Sequence, residues 1–361
     1  VSKGRIIHVA GIRLTRETGM GRIACEWGEA FTRRGYDFHH VGLDEVPMPF
    51  HNALWPWKAR SWIERQRWDI DSAIWLVHEP ASGIFVAEGR KVCIFSHGIE
   101  RRGQELDEPP AKSVTQVIRS LVTKPLWSAY DRNSDKGLRR GWRLALSNQE
   151  DAAYARSVYG RTDEDILVFR NGVDPVDHLD TNGDSRRATI LFVASWLRRK
   201  GIALLPKAAE SLASAGGNIK WVLAGVGQSR SDVLKSFPAG LHDDITVIEH
   251  FEREDEAAIY QDADIFVLPT FFEGQPLALL QAMAHCLCCI TTDNCGQRDL
   301  IDSGTNGILF PAGDADAFVG ALRSALADEQ LRKRLGREAA GSVADRDWKR
   351  VSDEFVDWIE H

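Results

Sequence analysis

The stretch Ala263–Met283 (ADIFVLPTFFEGQPLALLQAM) gathers residues suited to chemistry on a small ligand. Its apolar run Ile265–Pro269 has the character of a buried strand, and the loop that follows ends in Glu273-Gly274-Gln275-Pro276 before an apolar helical stretch opens at Leu277. Pro276 suits the first helical turn, where a missing N–H costs nothing, and Gly274 lets a ligand approach the backbone. A helix that starts in this way presents free amides and the positive end of its dipole to a phosphate. The carboxylate of Glu273 can accept two hydroxyl protons and so orient a ring that carries them. The same residues also make an ordinary strand–loop–helix unit in which Glu273 caps the helix, and geometry alone leaves both readings open.

Other residues are placed by the runs that precede them. His97 follows the apolar Val92-Cys93-Ile94-Phe95-Ser96 and is expected at the carboxyl end of a strand, where a structural histidine is the alternative. Gly19-Met20-Gly21 lies in the turn after the first strand; alone it is a weak phosphate signal, since glycines at helix entries are common. Eight of the twelve tryptophans precede residue 180, and either core packing or a platform for sugar rings accounts for them. Lys112–Arg143 holds eight Lys and Arg against two Asp, interleaved with Leu121, Leu126, Trp127, Tyr130 and Trp142. A peripheral membrane contact or an acidic acceptor fits this pattern, as does a solvated basic helix face.

Short apolar runs alternate with helical patterns throughout, which predicts an α/β chain of parallel sheets covered by helices on both faces. Ile6–Ala10 is the first expected strand, followed by a helix with Met20, Ile23, Ala24, Trp27 and Phe31 on its apolar side. Further strands are expected at Ala73–Val77, Lys91–Phe95, Leu144–Ser147 and Ile166–Phe169. A second set comprises Ala188–Ala194, Trp221–Ala224, Ile245–Ile248, Ile265–Pro269, Cys288–Thr291 and Gly307–Phe310. Between the sets, Asn171–Arg187 is rich in Asn, Gly and Asp and lacks apolar periodicity, so it reads as a linker. Two doubly wound, Rossmann-like domains facing a central cleft follow, with ligands beyond the carboxyl ends of the strands.

The bulk numbers fit this. A chain of 361 residues suits two domains, and 43% hydrophobic with 27% charged residues is a globular composition. The formal charge of −7 argues against nucleic acid as a partner. Residues 1–180 carry 26 Lys and Arg against 25 Asp and Glu, whereas residues 181–361 carry 19 against 27. A polyanionic ligand of the second half must therefore be held by local groups. No run reaches the roughly 18 apolar residues of a membrane span, no signal-peptide pattern is evident, and a cytoplasmic protein with buried, reduced cysteines is expected. The cluster Cys286, Cys288, Cys289 and Cys295 lacks the separated pairs of thiolate zinc sites.

The Ala263–Met283 stretch resembles the signature of glycosyltransferase family 4, retaining enzymes of the GT-B architecture. Pro269, Glu273, Gly274, Pro276, Leu277 and Ala282-Met283-Ala284 match its pattern, with Gln281 where the family has a second glutamate. The resemblance continues through Asp293, Gly296, Asn306-Gly307, Pro311 and Asp314, and back to Lys200-Gly201, Ala224-Gly225-Val226-Gly227 and Asn171-Gly172-Val173-Asp174. In the first half it is confined to Gly19-Met20-Gly21-Arg22, His97-Gly98 and Ser147. It implies an acceptor-binding domain at 1–175, a nucleotide-sugar domain at 186–345 and a terminal helix, 346–361, that returns to the first domain.

By resemblance, Glu273 contacts hydroxyls of the donor sugar, Lys200 neutralises the departing diphosphate, and His97 touches the transferred sugar. An ammonium aimed at charge that develops in the transition state acts directly on the barrier. Gly19 approaches the diphosphate, and Gly225, Gly274, Gln275, Pro276, Leu277 and Gln281 belong to the donor site. Two departures stand out. The family's arginine two residues after its Phe-Val strand end, here Phe192-Val193, is replaced by Ser195, so Arg198 or Arg199 is expected to supply that cation. Gln281 keeps one acceptor oxygen but loses the charge of the glutamate that receives the ribose hydroxyls. The implied activity is metal-independent, cofactor-free transfer of a sugar, with retention, from a UDP- or GDP-sugar to a carbohydrate or lipid-linked acceptor. A nucleotide-sugar epimerase and a non-catalytic nucleotide-sugar-binding subunit are the alternatives.

Overall fold

The computed structural model describes residues 2–106, 114–176, 187–216 and 218–361, with side chains for all of these except 105, 106 and 114–123. Most of the expected linker (177–186) and the first two residues of the basic stretch (112 and 113) lie outside the described residues. The chain divides into two compact units, Val1–Arg170 with Lys349–His361, and Asn171–Trp348.

The first unit is built on β1 (Arg5–Val9), β2 (Asp37–Val41), β3 (Ile74–His78), β4 (Lys91–Ser96), β5 (Arg143–Leu146) and β6 (Ile166–Val168). All pairs are parallel and the order is β2-β1-β3-β4-β5-β6. Its helices are α1 (Gly19–Arg33), α2 (Trp55–Glu64), α3 (Glu100–Leu106), α4 (Val114–Arg140) and α5 (Gln149–Tyr159). Thr18 caps α1 by accepting from the Gly21 N–H at 3.2 Å, and Asn148 caps α5 by accepting from the Asp151 N–H at 2.8 Å. Met20, expected on the buried side of α1, lies on its exposed side, while Ile23, Ala24, Trp27 and Phe31 are buried.

The second unit carries β7 (Ala188–Val193), β8 (Ile219–Ala224), β9 (Ile245–Ile248), β10 (Ile265–Leu268), β11 (Cys288–Thr292) and β12 (Ile308–Phe310). They form a parallel sheet in the order β12-β11-β10-β7-β8-β9. The connecting helices are α6 (Leu204–Ser214), α7 (Arg230–Leu234), α8 (Arg253–Gln261), α9 (Leu277–Ala284) and α10 (Cys295–Leu300); α11 (Ala315–Ala327) and α12 (Glu329–Val343) follow β12. Strands buried on both faces explain the unbroken apolar runs: Ile190, Leu191, Phe192, Phe266, Val267 and Ile290 are inaccessible to solvent. Each such side chain contributes about 1.5–3 kcal/mol relative to exposure.

The last helix, α13 (Trp348–Glu360), joins the first unit. Phe355 stacks on Trp27 with ring centroids 4.1 Å apart, and Lys3, Arg33 and Arg34 pair with Glu360, Asp353 and Asp357. Six free cysteines are present; Cys93, Cys288, Cys289 and Cys295 are buried as expected, but Cys25 and Cys286 are only half-buried.

Candidate active site

In the second sheet β7 is central: one branch of the sheet grows through β8 to β9, the other through β10 to β12. The loops leaving β7 and β10 therefore flank the point where the winding reverses, which is where open α/β sheets take their ligands. These two loops carry Lys200 and Glu273. They are joined closely: the Phe271 N–H and the Thr270 hydroxyl both donate to the Arg199 carbonyl, at 2.8 and 2.9 Å. Gly201, at φ +70°, makes the approach possible, because a Cβ there would lie 1.7 Å from the Pro269 carbonyl oxygen.

This packing sets the Lys200 ammonium on the Glu273 carboxylate, the two side chains 14% and 13% exposed. The Thr270 hydroxyl lies 3.4 Å from the same Glu273 oxygen. Glu273 therefore does not serve the start of α9, whose cap position is held by Pro276 without a side-chain bond. Pro276 was expected inside the first turn; it stands one residue before it, in extended conformation, because α9 begins at Leu277. Gly274 is buried, and its carbonyl packs against Gly296, where a Cβ would fall 1.6 Å from that oxygen. The Thr292 hydroxyl donates to the Thr270 carbonyl at 2.6 Å, and the Asn294 amide donates to the Phe271 carbonyl at 2.8 Å. The Glu273 loop is thus held from both sides.

Of the remaining expected residues, Arg198 is exposed and Arg199 half-buried beside Lys200, and Leu277 is half-buried at the start of α9. Gly225 and Gly227 adopt φ +66° and +65° in the turn after β8, where Val226 receives the Trp196 N–H at 2.8 Å. Gln275 and Gln281 are not presented to solvent. The Gln275 side-chain oxygen accepts from the Asn171 N–H at 2.5 Å and from Arg346 at 3.2 Å, while the Asn171 amide donates to the Gln275 carbonyl at 3.0 Å. Gln281, 3% exposed, donates its amide to Asp174 Oδ2 at 3.1 Å. Asp174 Oδ1 accepts from Arg253 at 2.7 Å. Asp174, Arg253 and Thr270 were not singled out from the sequence as site residues; the Asn171–Asp174 motif was the available signal.

His97 and Gly19 belong to the first unit. The sheet there reverses its winding between β1 and β3, and His97 follows β4, the next strand over. Its ring lies 5.7 Å from Phe95, 5.7 Å from Phe169 and 5.8 Å from His78. Burial, with the neighbouring His78, pushes His97 down to about 3, and burial pushes His78 down to about 4. Both rings are therefore neutral near pH 7, able to donate or accept a hydrogen bond without carrying charge. His8 and His40 extend the group, with their Nδ1 atoms 2.7 Å apart and His40 Nε2 3.2 Å from the Ile12 carbonyl. A carbonyl only accepts, so His40 is protonated on Nε2 and receives the His8 Nδ1 proton on Nδ1. Among the described residues no group of three or more His, Cys, Asp or Glu is placed to hold a metal ion. Nearby, Glu79 is buried and pushed up to about 7 by desolvation, although Ser96, Ser134 and the Glu100 N–H donate to it at 3.0, 2.5 and 3.1 Å. Gly19 is exposed as the first residue of α1, and Gly21 packs tightly in the same turn, where a Cβ would meet the Thr15 carbonyl at 2.2 Å.

Comparison with known proteins adds a family match over part of the chain and a fold. Residues 177–341 match the family described as glycosyl transferases group 1. The amylovoran biosynthesis glycosyltransferase AmsK of Erwinia amylovora is 30% identical over 44% of this chain and 41% of its own, so the chain spans less than half of that relative's length. The phosphatidyl-myo-inositol mannosyltransferase of Mycobacterium leprae is 27% identical over 70% of this chain and 71% of its own. Among solved structures, the sucrose-phosphate synthase of Thermosynechococcus elongatus superposes with a TM-score of 0.80, covering 99% of this chain and 98% of that one at 16% identity. Two Rossmann-like units in this strand order are the GT-B fold.

Proposed function

We propose, from the match of residues 177–341 to the group 1 glycosyl transferases, that the chain is a retaining glycosyltransferase. It takes a sugar from a nucleoside-diphosphate sugar, UDP or GDP as the nucleotide, and transfers it to a hydroxyl of a carbohydrate or lipid-linked acceptor. The names of its relatives, one in amylovoran biosynthesis and one acting on phosphatidyl-myo-inositol, support polysaccharide or glycoconjugate biosynthesis as the setting.

The observation that carries the reading is the Lys200–Glu273 pair at the winding reversal of the second sheet. A cation and a carboxylate locked together there match the two ends of a diphosphate sugar. When donor binds, Lys200 turns to the diphosphate and Glu273 to the sugar hydroxyls. The bond from the anomeric carbon to the phosphate oxygen breaks as the acceptor oxygen bonds to that carbon on the same face. The acceptor hydroxyl proton passes to the departing phosphate, and Lys200 offsets the charge that develops there. Arg198 and Arg199 lie in the same loop and stand in for the arginine replaced by Ser195. The resemblance gives His97 contact with the transferred sugar, a role that its neutral ring suits. Neither a metal nor a further cofactor enters this scheme, and the setting is cytoplasmic.

No helix among the described residues is long and apolar enough to cross a membrane. A peripheral contact through 112–143 remains part of the proposal, supported by exposed Lys124, Arg132, Lys136 and Arg140. Arg143 does not add to it: its guanidinium stacks on Trp142 and Trp358 at 4.5 and 4.9 Å. The test is release of nucleoside diphosphate from UDP- and GDP-sugars with and without glycan or lipid-linked acceptors. Lys200→Ala is expected to lower turnover by tenfold or more with folding intact. A loss under about threefold removes Lys200 from the mechanism.

A further inference from the structure

Position 281 holds an amide where the resemblance leads one to expect a carboxylate, and the structure brings a different carboxylate to that amide. Gln281 Nε2 donates to Asp174 Oδ2 at 3.1 Å, across 107 positions of sequence. The other oxygen, Oδ1, accepts from Arg253 at 2.7 Å. Asp174 is thus oriented from two sides, yet its side chain remains 32% exposed, whereas Gln281 is buried. Its backbone is pinned as well. Asn171 is bonded to Gln275, and the Val173 N–H donates to the Arg346 carbonyl at 2.8 Å, beside the bridge from Val173 to Asp347. The carboxylate is therefore fixed against α9, the helix that opens four residues after Glu273.

We infer that Asp174 is the carboxylate that receives the vicinal hydroxyls of the donor's ribose, with Gln281 as the residue that positions it. The inference rests on the reading of the second unit as a nucleotide-sugar site. The chemistry favours the carboxylate over the amide. An ionised carboxylate is acceptor-only, with two positions on each oxygen, so it receives hydroxyl protons while still bonded to Gln281 and Arg253. Such charge-assisted bonds are about twice as strong as neutral ones. A glutamate at 281 would face Asp174 with like charge; glutamine removes that repulsion and supplies the donor that aims the carboxylate. Arg253 balances its charge, so no uncompensated anion is added beside a diphosphate.

The experiment compares the affinity of the full chain for UDP and GDP with that for their 2′-deoxy counterparts. The wild type is expected to prefer the ribonucleotide by about tenfold, the scale of one charge-assisted bond. Asp174→Asn is expected to bring that preference below about threefold while leaving the deoxynucleotide affinity unchanged. That second affinity reports an intact site. Gln281→Met, which removes only the positioning amide, is the second variant and is expected to lower the same ratio. An undiminished ratio in both variants, or equal weakening of both nucleotides, overturns the inference. So does a wild type that binds nucleotides without discriminating the 2′-hydroxyl, and in that case the nucleotide-sugar reading still stands. A wild type that binds neither nucleotide removes that reading and the inference together.

Discussion

Lys200→Ala and Glu273→Gln, alone and combined, make a thermodynamic cycle on the pair that anchors the candidate site. Removing one partner of a fully buried ion pair costs about 3–5 kcal/mol, because the other charge is left without compensation. Here each side chain keeps about one-seventh of its exposure, and water screens the orphaned charge in part, which lowers the expected cost to about 2–3 kcal/mol per single change. Removing both leaves no orphan. The double variant is therefore expected to be more stable than the sum of the single effects predicts, by about 2 kcal/mol, within the range seen for directly coupled side chains. Amide hydrogen exchange in β7 and β10 reads this in the second unit alone. Additivity within about 0.5 kcal/mol would show that the two charges are independently solvated, and the argument from their pairing would fail.

Glu273→Gln is expected to weaken binding of a UDP- or GDP-sugar by about tenfold and of the bare nucleoside diphosphate hardly at all, as isothermal calorimetry will show; equal weakening would place the carboxylate at the phosphates. His97→Ala is expected to reduce transfer with nucleotide affinity nearly unchanged; a large drop in melting temperature with full activity would make it a packing residue. Acidification from pH 7 to pH 5 is expected to destabilise the first unit. His97 and His78 titrate at about 3 and about 4 in the fold, below the ordinary 6.5, so the stability of their neutral forms is complete above pH 6.5 and lost as pH falls below it. At pH 5 the two together cost roughly 4 kcal/mol. Glu79, raised to about 7, keeps its proton in the fold and offsets roughly 2 kcal/mol of this over the same interval, while His8 and His40, also lowered by burial, act in the same direction as His97 and His78. Chemical denaturation followed by near-ultraviolet circular dichroism at the two pH values measures it, and a first unit more stable at pH 5 would refute it.

Much of this architecture was legible in the sequence, because strands buried on both faces leave unbroken apolar runs. Ile245–Ile248 was read to the residue, and the other anticipated strands within two residues of their observed ends. β2 was missed: Asp37–Val41 is an edge strand, half-buried along most of its length, and its Asp-Phe-His-His carries no apolar run. At the site, Lys200 and Glu273 were recognisable singly from their local motifs, but their contact spans 73 positions and depends on Gly201 lying against Pro269. Local pattern contains no such distance. The same limit hid the contact between Asp174 and Gln281, 107 positions apart: the sequence shows that position 281 lacks a charge, but not that its amide donates to a carboxylate nearby. The basic stretch shows the converse limit. Composition counted Arg139 and Arg143 with the free cations, whereas they stack on Tyr159 and on Trp142 and Trp358.

The helix α13 has a consequence for how the protein is made. Because Lys349–His361 belongs with Val1–Arg170, the first unit is discontinuous, and its closing segment leaves the ribosome only after all of Asn171–Trp348. Domains ordinarily fold in the order of their synthesis. Here the order is inverted. The second unit is contiguous and has its whole core available first, while Trp27 must wait for Phe355, made 328 positions later, before its face is covered. During translation the incomplete first unit exposes that aromatic surface for as long as the second takes to emerge, which makes the nascent chain at this stage a natural client for chaperones that bind apolar surface.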